Sequence, residues 1–366
     1  MPARASFSGW IHRSVRTPGT GGTGQETTQD AHDREPLSAA GVGQQNDLVR
    51  AYVGVTDWDW YQFLRARGAT EVNFWQPSGG RRFAAVPQGS PFLFKTHYSH
   101  GNRIVGGGFL SGWASLPMSR AWEFFGPDNG CADLHQMRTR IHHYRRTSDD
   151  LRADPEIGCI MLRDVRFFDP DTAPPAPPGW AGNIVQGRSY DLTTDEGSYV
   201  EQVLAALLLA HAGTLIATDE DLGPTTVPGD VFGAARLAPV RVGQAAFKAL
   251  VQEAYGRRCA VTGDKIVPVL QAAHIRPVTD HGENRVDNGL LLRSDVHILF
   301  DRGYLGVHPD RKTLLVSPRL RSDWGNGEEF CRRAATGDPI SLPTRRADRP
   351  NRDFLDWHAD TIFFAS

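Results

Sequence analysis

Between Arg258 and Gly303 the chain sets out His274, Asn288, His297 and Asp301 in that order, punctuated by turn-forming glycines. His297 and Asp301 are four residues apart, so on a helix they share one face. An imidazole and a carboxylate aimed from one face can hold a divalent metal and leave positions open for water and phosphate oxygens. His274 closes the apolar run from Val267 to Ile275, where it is placed to take a proton from an attacking water. Imidazole suits that work because its pKa lies near neutrality. Asn288 falls in the connecting loop, where its amide can tie loop backbone to the His274 strand and fix that ring. Taken singly, a histidine is more often a surface or capping residue, and Asp301 could simply pair with Arg302 or Arg276. The ordered set carries the reading of metal-assisted hydrolysis.

Particular elements must position these groups. Cys259 to Gly263 reads as a short strand that turns at Gly263 and Asp264, and Val267 to Ile275 as the strand that returns. Ser294 is a candidate N-cap for a helix that carries His297 and Asp301 and stops at Gly303. Val296, Leu299 and Phe300 lie on the opposite side of that helix and can anchor it. Ahead of the motif, Gln244 to Tyr255 is an amphipathic helix with Phe247, Leu250 and Val251 on one face. Arg276, Arg285, Arg293 and Arg302 lie close to the proposed metal in sequence; Arg276, Arg293 and Arg302 are the candidates for phosphate contact, against a solvated face as the alternative.

The motif occupies a fraction of a chain of 366 residues, a length that predicts two domains plus tails. A net charge of −2 excludes coating nucleic acid by bulk charge but allows a local basic face. No apolar run is long enough to span a membrane, and Arg4, His12, Arg13 and Arg16 have no apolar core behind them, so a secretory signal is not expected. Cys131, Cys159, Cys259 and Cys331 form no close pair, which argues for buried thiols in a reducing cytoplasm rather than a zinc ribbon or disulfide framework. Residues 1–47 lack large apolar side chains and read as a disordered tail. Short strand-like pieces at Val72 to Trp75, Arg82 to Ala85, Pro91 to Thr96, Ile104 to Leu110 and Gly158 to Phe168 alternate with helices, at Leu116 to Phe125 and Leu134 to Tyr144 among others. They predict a partly closed α+β barrel over 48–170. Five prolines between Asp169 and Gly179 predict a stiff linker over 171–195. A buried helix from Ser198 to Ala212 then opens the domain that carries the candidate residues, over 196–366, with its core motif at 255–303.

Two runs carry a resemblance: Ala272-Ala273-His274-Ile275-Arg276-Pro277, and Asn288-Gly289-Leu290-Leu291-Leu292-Arg293-Ser294-Asp295-Val296-His297-Ile298-Leu299-Phe300-Asp301-Arg302-Gly303. Together they resemble the HNH, or ββα-metal, endonuclease family. The resemblance implies hydrolysis of DNA, with His274 as general base, Asn288 as the middle Asn and His297 as a metal-binding His. The implied cofactor is Mg²⁺, with Mn²⁺ as the alternative. Two departures stand out: Ala273 occupies a position where many members carry a further metal ligand, and only Cys259 remains of the paired cysteines that hold a structural zinc in many of them. Asp301 is then the best remaining carboxylate ligand, and packing rather than zinc is expected to hold the motif together.

The stretch 52–125 is rich in aromatic residues. Tyr52 to Asp57, Asn73-Phe74-Trp75-Gln76-Pro77, Phe92-Leu93-Phe94-Lys95 and Ile104 to Phe109 resemble the PUA superfamily in its EVE- or SRA-like branch, whose members include readers of modified bases. By that resemblance Asn73, Trp75, Lys95 and Trp113 are candidates to line a base pocket. Arg138, Arg140, His142, His143, Arg145 and Arg146 form a local basic cluster that suits phosphate tracking, or a solvated helix face. A reader joined to such a nuclease resembles modification-dependent restriction endonucleases that defend bacteria against phage. Cutting both strands of modified DNA then calls for two sites and hence a homodimer. The competing expectations are a nicking or processing nuclease acting on unmodified DNA or RNA, and a non-catalytic DNA-binding protein.

Overall fold

Strands form where β-branched and aromatic residues meet a pleated, half-buried surface, and the first half of the chain builds one sheet from them. The computed structural model describes residues 50–145, 153–212 and 243–365. The expected tail at 1–47, Arg146 of the basic cluster and the stretch 213–237 lie outside the described residues. Strands β1 (Arg50–Thr56), β2 (Val72–Gln76), β3 (Pro91–Thr96), β4 (Ile104–Pro117), β5 (Glu156–Phe167) and β6 (Gly187–Asp191) pair in the order β2-β5-β4-β3-β1-β6. Only β1 and β3 run parallel. Helices α1 (Trp58–Arg67), α2 (Met118–Phe125), α3 (Leu134–Arg145) and α4 (Asp195–Ala212) accompany the sheet. The expected α+β content is present, but the sheet stays open, with β2 and β6 at its edges, and does not close into a barrel.

The run Gly106-Gly107-Gly108 lies where β4 is sandwiched between neighbours. A Cβ at Gly106 would stand 2.5 Å from the Arg166 carbonyl, and one at Gly107 2.4 Å from a Leu93 methyl. Glycine is needed there to let backbones approach. Arg82 to Ala85 forms no strand; Phe83 packs against Tyr52 and Phe92 from an irregular segment instead.

Two expected boundaries move. Gly187–Asp191, inside the expected linker, pairs with β1. The proline-rich stretch is also tied down: the Pro174 carbonyl accepts the Ile104 N–H at 2.8 Å, and the Ala176 N–H donates to the Asn102 carbonyl at 2.9 Å. Helix α4 buries Val200, Val203, Leu204 and Leu207 in the same core as Val53, Phe92 and Leu162. The segment 171–212 therefore returns to the N-terminal sheet instead of spacing two domains, because its apolar residues find their burial there.

The second half begins at α5 (Gln244–Ala254) and continues through β7 (Leu270–His274), β8 (Gly289–Arg293), α6 (Ser294–Asp301), β9 (Leu305–Val307), β10 (Leu314–Val316), α7 (Pro318–Trp324), α8 (Glu328–Thr336) and α9 (Arg352–Thr361). Alternation along β5 divides the interior: Ile160 and Leu162 face one core, Cys159 and Met161 the other. The second core is continuous with Phe247, Leu290, Val296 and Phe300 of the C-terminal half. Helix α5 is the hinge pin of this junction. Its N-cap, Gly243, has no side chain, and Glu71 beside β2 supplies the cap by accepting the Ala246 N–H at 2.8 Å and the Ala245 N–H at 3.3 Å. Just past its end, Arg257 donates to both carboxylate oxygens of Glu156, at 2.7 and 2.9 Å, and to the Ser115 carbonyl at 2.5 Å. No helix among the described residues is long and apolar enough to cross a membrane.

His358 of α9 is buried under α6. Its ring stacks on Phe300 at 3.8 Å, and its Nε2–H donates to the Phe300 carbonyl at 3.1 Å. Burial pushes its pKa down to about 4. The fold thus favours the neutral ring, whereas the unfolded chain takes up the proton near pH 6.5. Stability is full above about pH 6.5, falls as the pH drops towards about 4 and then levels off, a loss of roughly 3 kcal/mol. Urea unfolding near pH 7 and near pH 4.5 is expected to show this difference in the wild type and to lose that part of it in His358→Phe.

Candidate active site

The hairpin that presents His274 is β7–β8, with His274 opposite Gly289 and Ala273 opposite Leu290. The strand expected at Cys259 to Gly263 is instead a tight turn. Its Cys259 Sγ accepts backbone N–H groups from Thr262 and Arg293, both at 3.3 Å, and a single ladder-like bond, Ala260 N–H to the Leu291 carbonyl at 2.7 Å, joins it to β8. The return strand begins at Leu270 because Pro268 sits in a single 3-10 turn. Ser294 does not cap α6. Strand β8 runs straight into the helix with Arg293 at the cap position and no side-chain cap bond, so Ser294 is already helical.

His274 is half-buried, its ring stacked on Phe247 of α5 at 4.0 Å and 10°. Its Nε2 lies 2.9 Å from Asn284 Oδ1. An amide oxygen only accepts, so Nε2 carries the hydrogen and Nδ1 is left as the proton-accepting nitrogen. Burial lowers the His274 pKa; the Asn284 bond and the Asp301 charge oppose the shift, and His297 adds to it. The base is thus held neutral and ready to accept a proton at pH values where a free imidazole is partly charged.

Asn288 is fully buried. Its Oδ1 accepts the Arg276 N–H at 2.9 Å, and its Nδ2 donates to the carbonyls of Arg276 and Glu283, both at 2.9 Å. Both amide hydrogens are spent on the loop that follows His274, so Asn288 is a positioning residue that acts through that loop.

His297 and Asp301 do meet on one face of α6, with Nε2 and Oδ2 3.2 Å apart. His297 Nδ1 donates to Gln271 Oε1 at 2.8 Å, which fixes the tautomer and turns the Nε2 lone pair towards Asp301. Burial raises the Asp301 pKa, with His297 and His274 drawing it back. Among the described residues no three His, Cys, Asp or Glu side chains converge into a metal cage. A two-donor set of one imidazole and one carboxylate fits a hard divalent ion that keeps waters and takes substrate phosphate oxygens. Ala273 adds nothing to this set, because the pleat turns it into the core, where it is fully buried.

The family model of HNH endonucleases matches residues 259–308. This segment is an HNH endonuclease domain. No curated protein matches the chain. Among solved structures, ASCH from Zymomonas mobilis is similar over 43% of this chain and 94% of its own, at 10% identity and a TM-score of 0.29. The modification-dependent restriction endonuclease TagI is similar over 34% of this chain and 40% of its own, at 24% identity and a TM-score of 0.23.

Around the HNH site the arginines divide. Arg293 is fully engaged, with Nε and one Nη on the Asp295 carboxylate at 2.7 and 2.8 Å and the other Nη on Asp264 at 2.7 Å. These contacts lock the Cys259 turn to the start of α6, so Arg293 is structural rather than a phosphate contact. Arg276 donates to the Asp280 carbonyl and stacks on Trp357 at 5.3 Å. Arg302 is exposed beside Asp301 and has no ion-pair partner among the described residues. Sequence reasoning missed Gln271, Asn284 and Phe247. The polar Gln271 within the apolar run Leu270-Gln271-Ala272-Ala273 was a usable signal; the Asn284 contact depends on how the loop after His274 folds back, and the Phe247 contact on long-range packing.

Of the four candidates for the base pocket, Trp75 is the one that lines the cavity found among the described residues. It opens beside β1, β2, α1 and α3, holds about 280 Å³ and is lined by Tyr52, Trp60, Phe74, Trp75 and Tyr144 among others. Asn73 is buried, bonded to Asn129 at 2.9 Å and Cys159 at 3.4 Å. Lys95 is buried with its Nζ on the Thr96 carbonyl and over the Trp180 ring. Trp113 lies outside the cavity lining. Asn73 and Trp75, two apart on β2, both reach Asn129, and it is the buried amide pair that takes Asn73 away from the cavity. The basic cluster is similarly engaged: Arg140 holds the Gly130 carbonyl, Arg145 the Pro77 carbonyl, and His142 is buried.

Proposed function

We propose that this chain cleaves DNA with a divalent metal, Mg²⁺ or alternatively Mn²⁺, held by His297 and Asp301, and that its N-terminal half directs the cut to DNA carrying modified bases. The observation that carries the cleavage reading is the pairing of two histidines with fixed and complementary tautomers, His274 by Asn284 and His297 by Gln271. When bound, the metal supplies positive charge for the phosphate and open positions for oxygen ligands. His274 Nδ1 takes the proton of the attacking water. Asn288 holds the loop that keeps the His274 ring in place. Arg302 is placed to meet the phosphate backbone from its exposed position, with Arg276 as a second contact.

Support for targeting comes from the aromatic cavity in the N-terminal sheet, of a kind that can stack a base turned out of the helix. A homodimer accounts for two nicks, and restriction of phage DNA is the biological setting this reading implies. The test is to incubate the protein with unmodified, methylated, hydroxymethylated and glucosylated DNA in Mg²⁺, Mn²⁺ or EDTA. Cleavage with metal, none in EDTA and a preference among the DNAs is the expected result. Equal cutting of every DNA overturns the targeting. No cutting with any metal favours a DNA-binding protein instead.

A further inference from the structure

Helix α5 carries the aromatic ring that lies on His274, yet the group that starts this helix belongs to the other half of the chain. The Phe247 N–H opens the helical ladder by donating to the Gly243 carbonyl at 2.8 Å, so the place of Gly243 decides the place of Phe247. An N-cap residue ordinarily brings its own acceptor for the free N–H groups of the first turn. Gly243 brings none, and the space its side chain would fill is taken. A Cβ there would overlap the carboxylate carbon and both oxygens of Glu71, the residue just ahead of β2. Glu71 is partly buried in that position. The carboxylate thus stands in for a missing cap side chain, and glycine at 243 is what admits it.

The two faces of α5 make this starting point matter to the base. On one face, a Cβ at Gly112 of β4 would meet Leu250 at 2.7 Å, and Arg120 of α2 donates to the buried Gln252 at 2.9 Å. These contacts seat the helix on the N-terminal half. On the other face, a Cβ at Gly289 would meet Val251 at 2.5 Å and Phe247 at 3.1 Å, so the helix lies directly on the strand opposite His274. Packing this close passes a shift at the helix start to the ring instead of absorbing it. The charged groups around Glu71 are Asp128 and Lys248; those around His274 are His297, Asp301 and Lys248.

We infer that Glu71 is a positioning residue for the base: by capping α5 across the junction it sets Phe247 against His274, which makes the N-terminal half a working part of the cutting site. The inference rests on the reading above that His274 takes the proton in cleavage. It adds the residue through which the other half of the chain reaches that base.

The test compares the wild type, Glu71→Ala, Gly243→Asp and the double variant as full chains. One readout is single-turnover cleavage with Mg²⁺ of the best-cut DNA among the four substrates above. The other is titration of the His274 ring by ¹³C NMR in EDTA, with His274→Ala locating its signal. Glu71→Ala is expected to slow cleavage about tenfold to a hundredfold, the scale of a misplacement of about 1 Å, with the half-saturating protein concentration unchanged. Its His274 pKa is expected to rise towards the free imidazole value, because a loosened stack admits water. Loss of a carboxylate charge would by itself move that pKa the other way, so a rise reports the position of the ring. Gly243→Asp supplies a cap from the helix's own residue. It is expected to restore rate and pKa in the Glu71→Ala background and to impair the wild type, where it collides with Glu71. A Glu71→Ala chain that loses stability but keeps the wild-type rate and His274 pKa overturns the inference, since Glu71 is then a structural cap alone. A double variant no better than Glu71→Ala overturns the cap as the route. If the wild type cuts none of the DNAs while the His274 pKa still follows Glu71, the cleavage reading has failed and the coupling of Glu71 to the ring stands.

Discussion

Replacing His274 with alanine is expected to slow phosphodiester cleavage by about a hundredfold to ten-thousandfold, the contribution of a positioned general base. The fold should be preserved, because the ring is half-buried at the rim of the hairpin and its removal opens no enclosed cavity. Single-turnover cleavage at saturating protein, beside circular dichroism of the variant, separates the two effects. A variant that cleaves at the wild-type rate would show that another group takes the proton. The pH profile gives a second reading. Burial lowers the His274 pKa, so the neutral base persists to lower pH, and the acid limb of the rate lies below the ordinary imidazole value near 6.5. Phe247→Leu removes the stacked ring, admits water and is expected to move that limb upward.

Asn288→Ala should produce the largest loss of stability of any single polar change at the site. Three buried hydrogen bonds tie its amide to the Arg276 N–H and to the carbonyls of Arg276 and Glu283. Alanine leaves those backbone groups without partners in a place water does not reach. At about 1–3 kcal/mol for each unsatisfied group, and with partial relaxation of the loop, the cost is about 3–5 kcal/mol. Asn288→Asp should be nearly as damaging, since a carboxylate cannot donate to two carbonyls. Chemical unfolding measures the stability, and cleavage at a temperature where the variant is still folded measures the catalytic share. An Asn288→Asp variant as stable as the wild type would refute the donor role.

The sequence was most legible where local spacing and chemistry coincide. His297 and Asp301 meet because four residues make one helical turn, and Pro91–Thr96 and Leu134–Arg145 follow from their own patterns. It was least legible where a group acts through a partner far along the chain. Phe247 reaches His274, and Glu71 reaches the start of α5, only after the two halves share a core. The base pocket was misjudged for a related reason: Asn73 and Trp75 are close in sequence, but one is spent on a buried amide pair while the other lines the cavity. Proline content predicted a stiff linker over 171–195, and said nothing about the Ile104 and Asn102 backbone groups that pin the segment to the sheet.

Helix α5 touches the N-terminal sheet at both ends, through Glu71 and Arg257, and carries Phe247 against His274 between them. The cavity and the cutting group are therefore mounted on a common frame, as the two jaws of a calliper are mounted on one beam. On the reading proposed here, the distance along the DNA from the recognised base to the broken bond is set by the protein itself and not by the slack of a spacer. Breaks then fall in a narrow band of offsets from each recognised base, and a change at the junction of α5 with the sheet shifts that band without altering which base is chosen.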